Sequence, residues 1–337
     1  IIGDYNYLFD PTVYLRRFFE DEKNEDNLFL IDEAHNLVNR SREMYSAELS
    51  YEKTKRSKEA IPKEFKKLHR RFNKLLKEFD SIREIAKEDH WDYHHQKAPA
   101  ESLVKAGYQL SEKIKEWLAE FPEHPSQEQL LPYYFDLLHF LKVSEFYDDH
   151  YETTVEKTYR DLIVKEFCID PSLFLEQSLD KGKSSILFSA SFSPLSYYQE
   201  TLGGQKSLAY KLPSPFPEGN QQVFIANYLE TTYRKREHSL AKLVETIHAF
   251  ADGKVGNYFV FFPSYQYLDL AVEAFRQQYP DSNVLIQETD MNEEERERFL
   301  TKFQTNPAET LIGFCVLGGI FSEGIDLRGD RLIGSMI

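Results

Sequence analysis

Leu28-Phe29-Leu30-Ile31-Asp32-Glu33-Ala34-His35 is the stretch on which the reading of this chain turns. Four apolar residues predict a short buried strand, and two carboxylates follow at its end. A nucleotide-driven motor presents its acids in this way: the first, Asp32, holds Mg²⁺, usually through water, and the second, Glu33, orients or deprotonates the attacking water. An Asp-Glu pair alone suits a strand that ends in an exposed acidic turn. The strand before the pair and Ala34-His35 after it favour the motor site.

Working outward, 337 residues are too many for one ordinary core, so two or three domains are expected. No apolar run approaches the length of a membrane span, and the first residues lack a signal-peptide pattern, so no membrane partner is expected. Ile1 falls inside what reads as a strand, which suggests a fragment of something longer. Cys168 and Cys315 are the only cysteines; their separation argues against a disulfide framework or a cysteine-ligated cluster and fits a reducing cytoplasm. The net charge of −15 looks wrong for a nucleic-acid binder. Net charge is a poor guide, however, when a domain tracks a strand through a local groove. Basic clusters do occur at Lys53-Thr54-Lys55-Arg56-Ser57-Lys58, at Lys66, Lys67, Arg70, Arg71 and Lys74, and at Arg234-Lys235-Arg236. Each also reads as a solvated helix face or loop.

The hydrophobic period divides the chain. Up to about residue 55 it reads as α/β, with the acidic turn opening a helix. Phe65, Leu68, Phe72, Leu75, Leu76, Phe79, Ile82 and Ile85 then recur at three- and four-residue steps, which predicts an amphipathic helix. A second runs from Leu103 to Phe121, closed by Pro122, and a third from Leu130 to Leu141. No strand is evident between about 60 and 150, so this stretch is expected to be an all-helical insertion. Strand signal returns at Ser184-Ser185-Ile186-Leu187-Phe188-Ser189. The three prolines of Leu212-Pro213-Ser214-Pro215-Phe216-Pro217 read as a linker. Beyond it, strands at 258–262, 284–287 and 311–317 alternate with helices, one from Tyr265 to about Gln278 and one opened by an Asn292/Glu295 capping box. That alternation predicts a mostly parallel sheet in a second doubly wound domain.

Gly182-Lys183-Ser184 imitates the end of a phosphate-binding loop. Gln177 stands where the earlier glycine belongs, and the segment precedes a strand instead of opening a helix, so it is set aside. Five other stretches occur in a telling order: Tyr5-Asn6-Tyr7-Leu8-Phe9-Asp10-Pro11, the Asp-Glu-Ala-His box with Asn36, Ser189-Ala190-Ser191-Phe192-Ser193-Pro194-Leu195, Phe261-Phe262-Pro263-Ser264-Tyr265-Gln266-Tyr267, and Gly318-Gly319-Ile320-Phe321-Ser322-Glu323-Gly324-Ile325-Asp326-Leu327. Together they resemble the successive motifs of the XPD/DinG family of superfamily 2 iron–sulfur DNA helicases.

The resemblance implies an α/β protein with two RecA-like parallel-sheet motor domains, the first incomplete, and an all-helical arch. On that basis residues 1–57 would be part of the first motor, 58–150 the arch, 151–208 the first motor continued, and 209–337 a truncated second motor. Carried onto matching positions, Asp32 would hold Mg²⁺, Glu33 would act on the hydrolytic water, and His35 would couple the nucleotide to Ser189 and Ser191. Gly324 and Asp326 would face the nucleotide from the second domain, with Ser322 and Glu323 between nucleotide and DNA. Ser264 and Tyr265 would lie near the tracked strand, although Ser264 also reads as a helix N-cap with core aromatics around it. ATP and Mg²⁺ are the implied cofactors, and single-stranded DNA and forked duplex the implied partners. A monomer moving 5′ to 3′, acting in DNA repair, is the implied state. The family also carries a phosphate loop and a four-cysteine 4Fe-4S segment before the Tyr-Asn-Tyr motif, and an arginine-bearing helix after the last one. None is in this chain, so the isolated chain is expected to be nearly silent as an ATPase. The competing reading is a non-catalytic helicase-derived module that binds DNA or protein.

Three further candidates carry less. His90, Asp92, His94 and His95 suit a metal but read better as a solvated polar turn. Asp148-Asp149-His150 reads as an exposed helix end. Trp91 and Trp117 read as packing residues, Trp91 with the option of stacking on a base if exposed.

Overall fold

The computed structural model describes residues 1–19, 27–322 and 324–337, and the chain divides into two units, Ile1–Pro213 and Ser214–Ile337. The first opens with short helices α1 (Asn6–Phe9) and α2 (Arg16–Phe19), then strand β1 (Leu28–Ile31) and helix α3 (Leu37–Met44). Strand β2 (Ala47–Ser50) runs directly into α4 (Tyr51–Glu59), capped by the Ser50 hydroxyl, which accepts from the Lys53 amide. The long helix α5 (Lys66–Glu88), strand β3 (Tyr93–Gln96), and helices α6 (Glu101–Glu120) and α7 (Gln127–Ser144) follow. Strands β4 (Tyr151–Lys157) and β5 (Leu162–Cys168), helix α8 (Ser172–Leu179), strand β6 (Ser184–Leu187) and helix α9 (Leu195–Thr201) complete the unit.

Periodicity explains the helical layer. In α5 the buried positions Leu68, Phe72, Leu75, Leu76 and Phe79 fall on one stripe. Leu68, Phe72, Leu75 and Phe79 share a core with Leu103, Leu110, Ile114 and Trp117 of α6 and with Leu130, Leu137 and Phe140 of α7. Burying each such side chain contributes roughly 1.5–3 kcal/mol. Gly107 lets α6 settle on α7, since a Cβ there would stand 3.2 Å from Leu137 and from Leu141.

Among the described residues, two sheets lie in this unit. β1 and β6 pair in parallel, with Leu28 opposite Ser184 and Ile31 opposite Leu187. The other sheet is antiparallel, in the order β2-β5-β4-β3. Its strand β3 corrects the expectation that residues 58–150 are helical throughout. Tyr93-His94-His95-Gln96 is an edge strand exposed at all four positions, so it carries no apolar alternation by which to be read. β4 and β5 do alternate in burial, but Thr153 and Glu166 occupy inward positions and mask the pattern.

Glu166 is fully buried, accepting from the Ala100 amide (3.1 Å) and the Ser144 hydroxyl (2.5 Å). Burial pushes its carboxyl above the usual range, more than these hydrogen bonds lower it. The folded chain therefore holds this proton more tightly than the unfolded chain. Stability falls as pH rises from the ordinary carboxylate range through the folded value, and the loss persists above it. Glu166→Gln keeps an acceptor for Ala100 and removes the buried charge. It is expected to unfold at higher urea than the parent at pH 7, with the difference closing below about pH 4, the unperturbed Glu range; a constant difference between pH 4 and 8 would contradict this.

The second unit is built from α10 (Leu240–Asp252), β7 (Asn257–Phe262), α11 (Tyr265–Gln278), β8 (Asn283–Ile286), α12 (Glu293–Leu300), β9 (Leu311–Val316) and β10 (Gly334–Met336). Its sheet is wholly parallel, in the order β10-β7-β9-β8. The capping box at Asn292 is formed in both directions. β7 and β9 are buried along nearly their whole length, as central parallel strands are. Among the described residues, no helix is long and apolar enough to cross a membrane.

Candidate nucleotide site

β1 and β6 are adjacent parallel strands, so their C-terminal ends deliver two remote sequences to one place. The Phe188 amide donates to the Ile31 carbonyl (3.0 Å), and the Ala34 amide donates back to Phe188 (3.1 Å). The Asp32–His35 turn is thereby pinned beside Ser189 and Ser191. His35 Nδ1 lies 2.8 Å from Ser189 Oγ and 3.2 Å from Glu33 Oε2. Ser189 Oγ is also 3.5 Å from Glu33 Oε2 and 3.2 Å from Ser191 Oγ, and it accepts from the Ser191 amide at 3.1 Å. Because the carboxylate can only accept, a proton on His35 Nδ1 satisfies both neighbours at once. Glu33, His35, Ser189 and Ser191 thus form one connected polar cluster.

The turn has an unusual backbone. Glu33 sits at φ 45°, a left-handed conformation that costs a residue with a side chain roughly 1–2 kcal/mol. Tyr5 holds it there. Its hydroxyl donates to the carbonyls of Asp32 (2.6 Å) and Glu33 (3.0 Å). Burial raises the Tyr5 pKa first, and the charges of Asp32 and Glu33 raise it further, so the phenol stays a donor at neutral pH. Removing that donor in Tyr5→Phe is expected to cost about 1 kcal/mol of stability. The backbone at Glu33 is expected to loosen as well, because the two bonds lost are the ones Tyr5 makes to this turn. Equal amide exchange at Glu33 and Ala34 in the two proteins would show that Tyr5 has no such role.

Asp32 is exposed, and its Oδ1 accepts from the Glu33 amide at 2.8 Å. An exposed carboxylate beside a second carboxylate suits a hard cation that keeps most of its water, so the donor set fits Mg²⁺. The cysteines do not fit an iron–sulfur cluster. Cys168 and Cys315 are single, free and buried in different units, and burial pushes the Cys168 thiol up to about 12. Among the described residues no group of three or more His, Cys, Asp or Glu side chains is placed to hold a metal. His94 instead stacks on Trp91, and Trp117 is buried with Phe65 and Phe121.

In the second unit, Ser264 caps α11, its hydroxyl accepting from the Tyr267 amide at 3.3 Å. The Tyr265 hydroxyl accepts from Gln287 Nε2 (2.8 Å), and Gln287 Oε1 accepts from the Val316 amide (2.8 Å). One buried amide therefore ties the Ser264-Tyr265 turn to the end of β9. From there the chain turns through Gly318, at φ 76°, whose amide donates to Ser322 Oγ (2.7 Å). Gly324 sits at φ 68°, and Arg296 Nη2 donates to its carbonyl (2.7 Å) while Arg296 Nε donates to that of Ile320 (3.1 Å). Asp326 is engaged by Arg328 at 2.8 Å. Glu323 lies outside the described residues. Gln287 and Arg296 carry no site signal in the sequence. Arg296 sits in the Glu-rich helix α12 and looks like a solvated charge, and Gln287 directly follows an apolar strand.

The DEAD_2 family model matches residues 1–54, and a model described as the helicase C-terminal domain matches 247–337. The ATP-dependent DNA helicase CHL1 of Saccharomyces cerevisiae is 23% identical to the chain over 357 residues, covering 91% of this chain and 41% of the relative. The protein of that name from Candida glabrata is 24% identical, covering 90% and 41%. A Methanocaldococcus jannaschii protein described as a probable ATP-dependent helicase is 22% identical, covering 73% and 41%. The chain is a distant homologue of the XPD/DinG-type helicases. It spans about 41% of the length of these curated relatives. The DEAD_2 match contains Asp32, Glu33 and His35, and the helicase C-terminal match contains Ser264, Tyr265, Ser322, Gly324 and Asp326. Ser189 and Ser191 fall outside both matches, and their link to the helicase motifs rests on the His35–Ser189 hydrogen bond.

Proposed function

We propose that this chain is part of an ATP-dependent DNA helicase that couples ATP hydrolysis to movement along single-stranded DNA and to duplex unwinding. The observation that carries the reading is the cluster at the ends of β1 and β6. Glu33, His35 and Ser189 are joined within 3.5 Å although they come from segments 154 residues or more apart. Glu33 accepts a proton from, or orients, the water that attacks the terminal phosphate. His35 holds Glu33 and passes its position to Ser189 and Ser191. Mg²⁺, when bound at Asp32, supplies positive charge to the phosphates. Gly324 and Asp326 respond to the nucleotide, Ser322 and Glu323 link that response to DNA, and Ser264 and Tyr265 meet the tracked strand.

The remaining parts of the reading rest on the resemblance alone. These are the two RecA-like motors, an arch formed within residues 58–150, 5′ to 3′ movement and a repair role. The test is ATP hydrolysis by this chain and by the intact protein, each with and without single-stranded DNA. DNA-stimulated turnover in the intact protein is the expected result. An intact protein silent with DNA present would overturn the motor and leave a binding module.

A further inference from the structure

Charge in this acidic chain is not evenly spread. Between residues 53 and 77 eleven Lys or Arg stand against two Glu, while the chain as a whole carries −15. In α5 the segregation is sharper still. With about 100° between successive residues, Lys66, Lys67, Arg70, Lys74 and Lys77 all fall within one arc of about 100°, diametrically opposite the Leu68–Phe72–Leu75–Phe79 stripe. All five are exposed. They span about 16 Å of helix at 1.5 Å per residue. Beyond Lys77 the same arc carries Ser81, Glu84 and Glu88, so the basic ridge ends abruptly.

Two features set this ridge apart from an ordinary solvated face. First, it lacks internal neutralisation. Lys66, Lys67, Arg70 and Lys77 make no ion pair among the described residues, whereas Lys87 pairs with Glu84, and Arg83 with Asp80, on the same helix. Second, the cations crowd the wrong end of the helix. The first turn of α5 has no acid and no side-chain cap, and Lys66 and Lys67 face the positive pole of the helix dipole. Each such placement disfavours the helix. The arrangement costs stability and serves no packing purpose, but it concentrates potential for a polyanion.

We propose that this ridge is a docking surface for the phosphodiester backbone of duplex nucleic acid, separate from the cluster around Glu33. The absence of stacking groups selects duplex over single strand. Between residues 66 and 77 the exposed side chains are Lys66, Lys67, Arg70, Asn73, Lys74 and Lys77, with no aromatic on which an unpaired base could stack. Phosphates are what a duplex presents, and a row of cations is what holds them without reading sequence. Arg71 Nη1 and Lys74 Nζ both donate to Gln109 Oε1 of α6, at 2.7 and 2.8 Å, which fixes the ridge on the neighbouring helix. The identity of the polyanion rests on the DNA-helicase reading; the position and length of the ridge do not.

The test is binding of this chain to a fluorescent 20-base-pair duplex, by anisotropy, across 50–200 mM salt. The Lys66→Ala/Arg70→Ala/Lys77→Ala triple variant is expected to lose tenfold or more in affinity at the low-salt end. Its slope of log K against log salt should flatten by about two to three, one unit for each phosphate contact removed. Its melting temperature should hold or rise, since cations leave a helix N-terminus. A charge-matched triple variant at exposed lysines elsewhere, Lys105→Ala/Lys115→Ala/Lys242→Ala, should bind nearly as the parent does. Equal losses in the two triples, or an unchanged slope in the first, would overturn the ridge. So would competition by an oligoglutamate peptide as effective as unlabelled duplex, which would point to an acidic protein partner. ATP turnover by the intact protein on single strands separates the two readings. Stimulated turnover with no ridge effect overturns the ridge alone, and a ridge effect without turnover supports the ridge while the motor falls.

Discussion

Glu33→Gln is expected to reduce ATP turnover by the intact protein by about 10²–10⁴-fold, the usual worth of a positioned base, with nucleotide affinity within severalfold of the parent. Glutamine has the shape of glutamate but neither its charge nor its basicity, so the water near it loses both a proton acceptor and an orienting dipole. The turn should survive. Its geometry is held by backbone groups, through Tyr5 on the carbonyls of Asp32 and Glu33 and through the Phe188 carbonyl on the Ala34 amide. The contact with His35 Nδ1 at 3.2 Å can also persist with the amide oxygen as acceptor. Steady-state hydrolysis gives kcat, and a fluorescent ATP analogue gives binding. A kcat within threefold of the parent would remove Glu33 from the chemistry. Loss of nucleotide binding together with turnover would mean that the carboxylate acts on the ground state, not on the attacking water.

Much of this site could be read from residues because strand ends are short and local. Four apolar residues followed by two acids required only that a strand end there, and β1 ends at Ile31. The Asn292 capping box was equally local, and so was the apolar period of α5, α6 and α7. What escaped the sequence was set by distant partners. β3 was invisible because an exposed edge strand has no buried face to impose alternation. Glu166 faces inward because Ala100 and Ser144, each far along the chain, supply its hydrogen bonds. Gln287 looked like the polar residue that ends a strand, yet it is buried because Tyr265 and Val316 converge on it from two other segments. Gly182-Lys183-Ser184 shows the opposite hazard, a local pattern whose cause lies elsewhere. The glycine is needed because a Cβ there would come within 2.5 Å of the Phe29 ring.

Phe321→Ala is expected to destabilise the second unit by about 3–5 kcal/mol and to loosen the loop that carries Ser322, Gly324 and Asp326. Phe321 is fully buried although it lies in the middle of that loop. Its ring centroid is 4.4 Å from that of Phe299 in α12 and 6.3 Å from that of Phe259 in β7, within a cluster that also holds Phe303 and Cys315. Glycines at 318 and 324 let the backbone turn on either side, at φ 76° and 68°, but supply nothing to hold it. Among the described residues, polar ties run from Gly318 to Ser322, from Ser322 to Gly319 and Val316, from Gly319 to Val316, and from Arg296 to Ile320 and Gly324. Each is worth about 1 kcal/mol net, whereas a ring lost from this core forfeits transfer energy and leaves a cavity. The aromatic anchor therefore outweighs any one of the hydrogen bonds, and a motif rich in glycine is held in place chiefly where its phenylalanine is rooted. Urea unfolding of the chain measures the stability loss. Amide exchange at Gly318 and Ser322 measures the loosening, which should rise well before global unfolding. Phe321→Leu, closer in volume, should recover most of both. A loss below about 1 kcal/mol for Phe321→Ala, the range of an exposed side chain, would place the anchor elsewhere. Unchanged exchange at Ser322 despite a large stability loss would show that the glycine turns and Arg296 hold the loop by themselves.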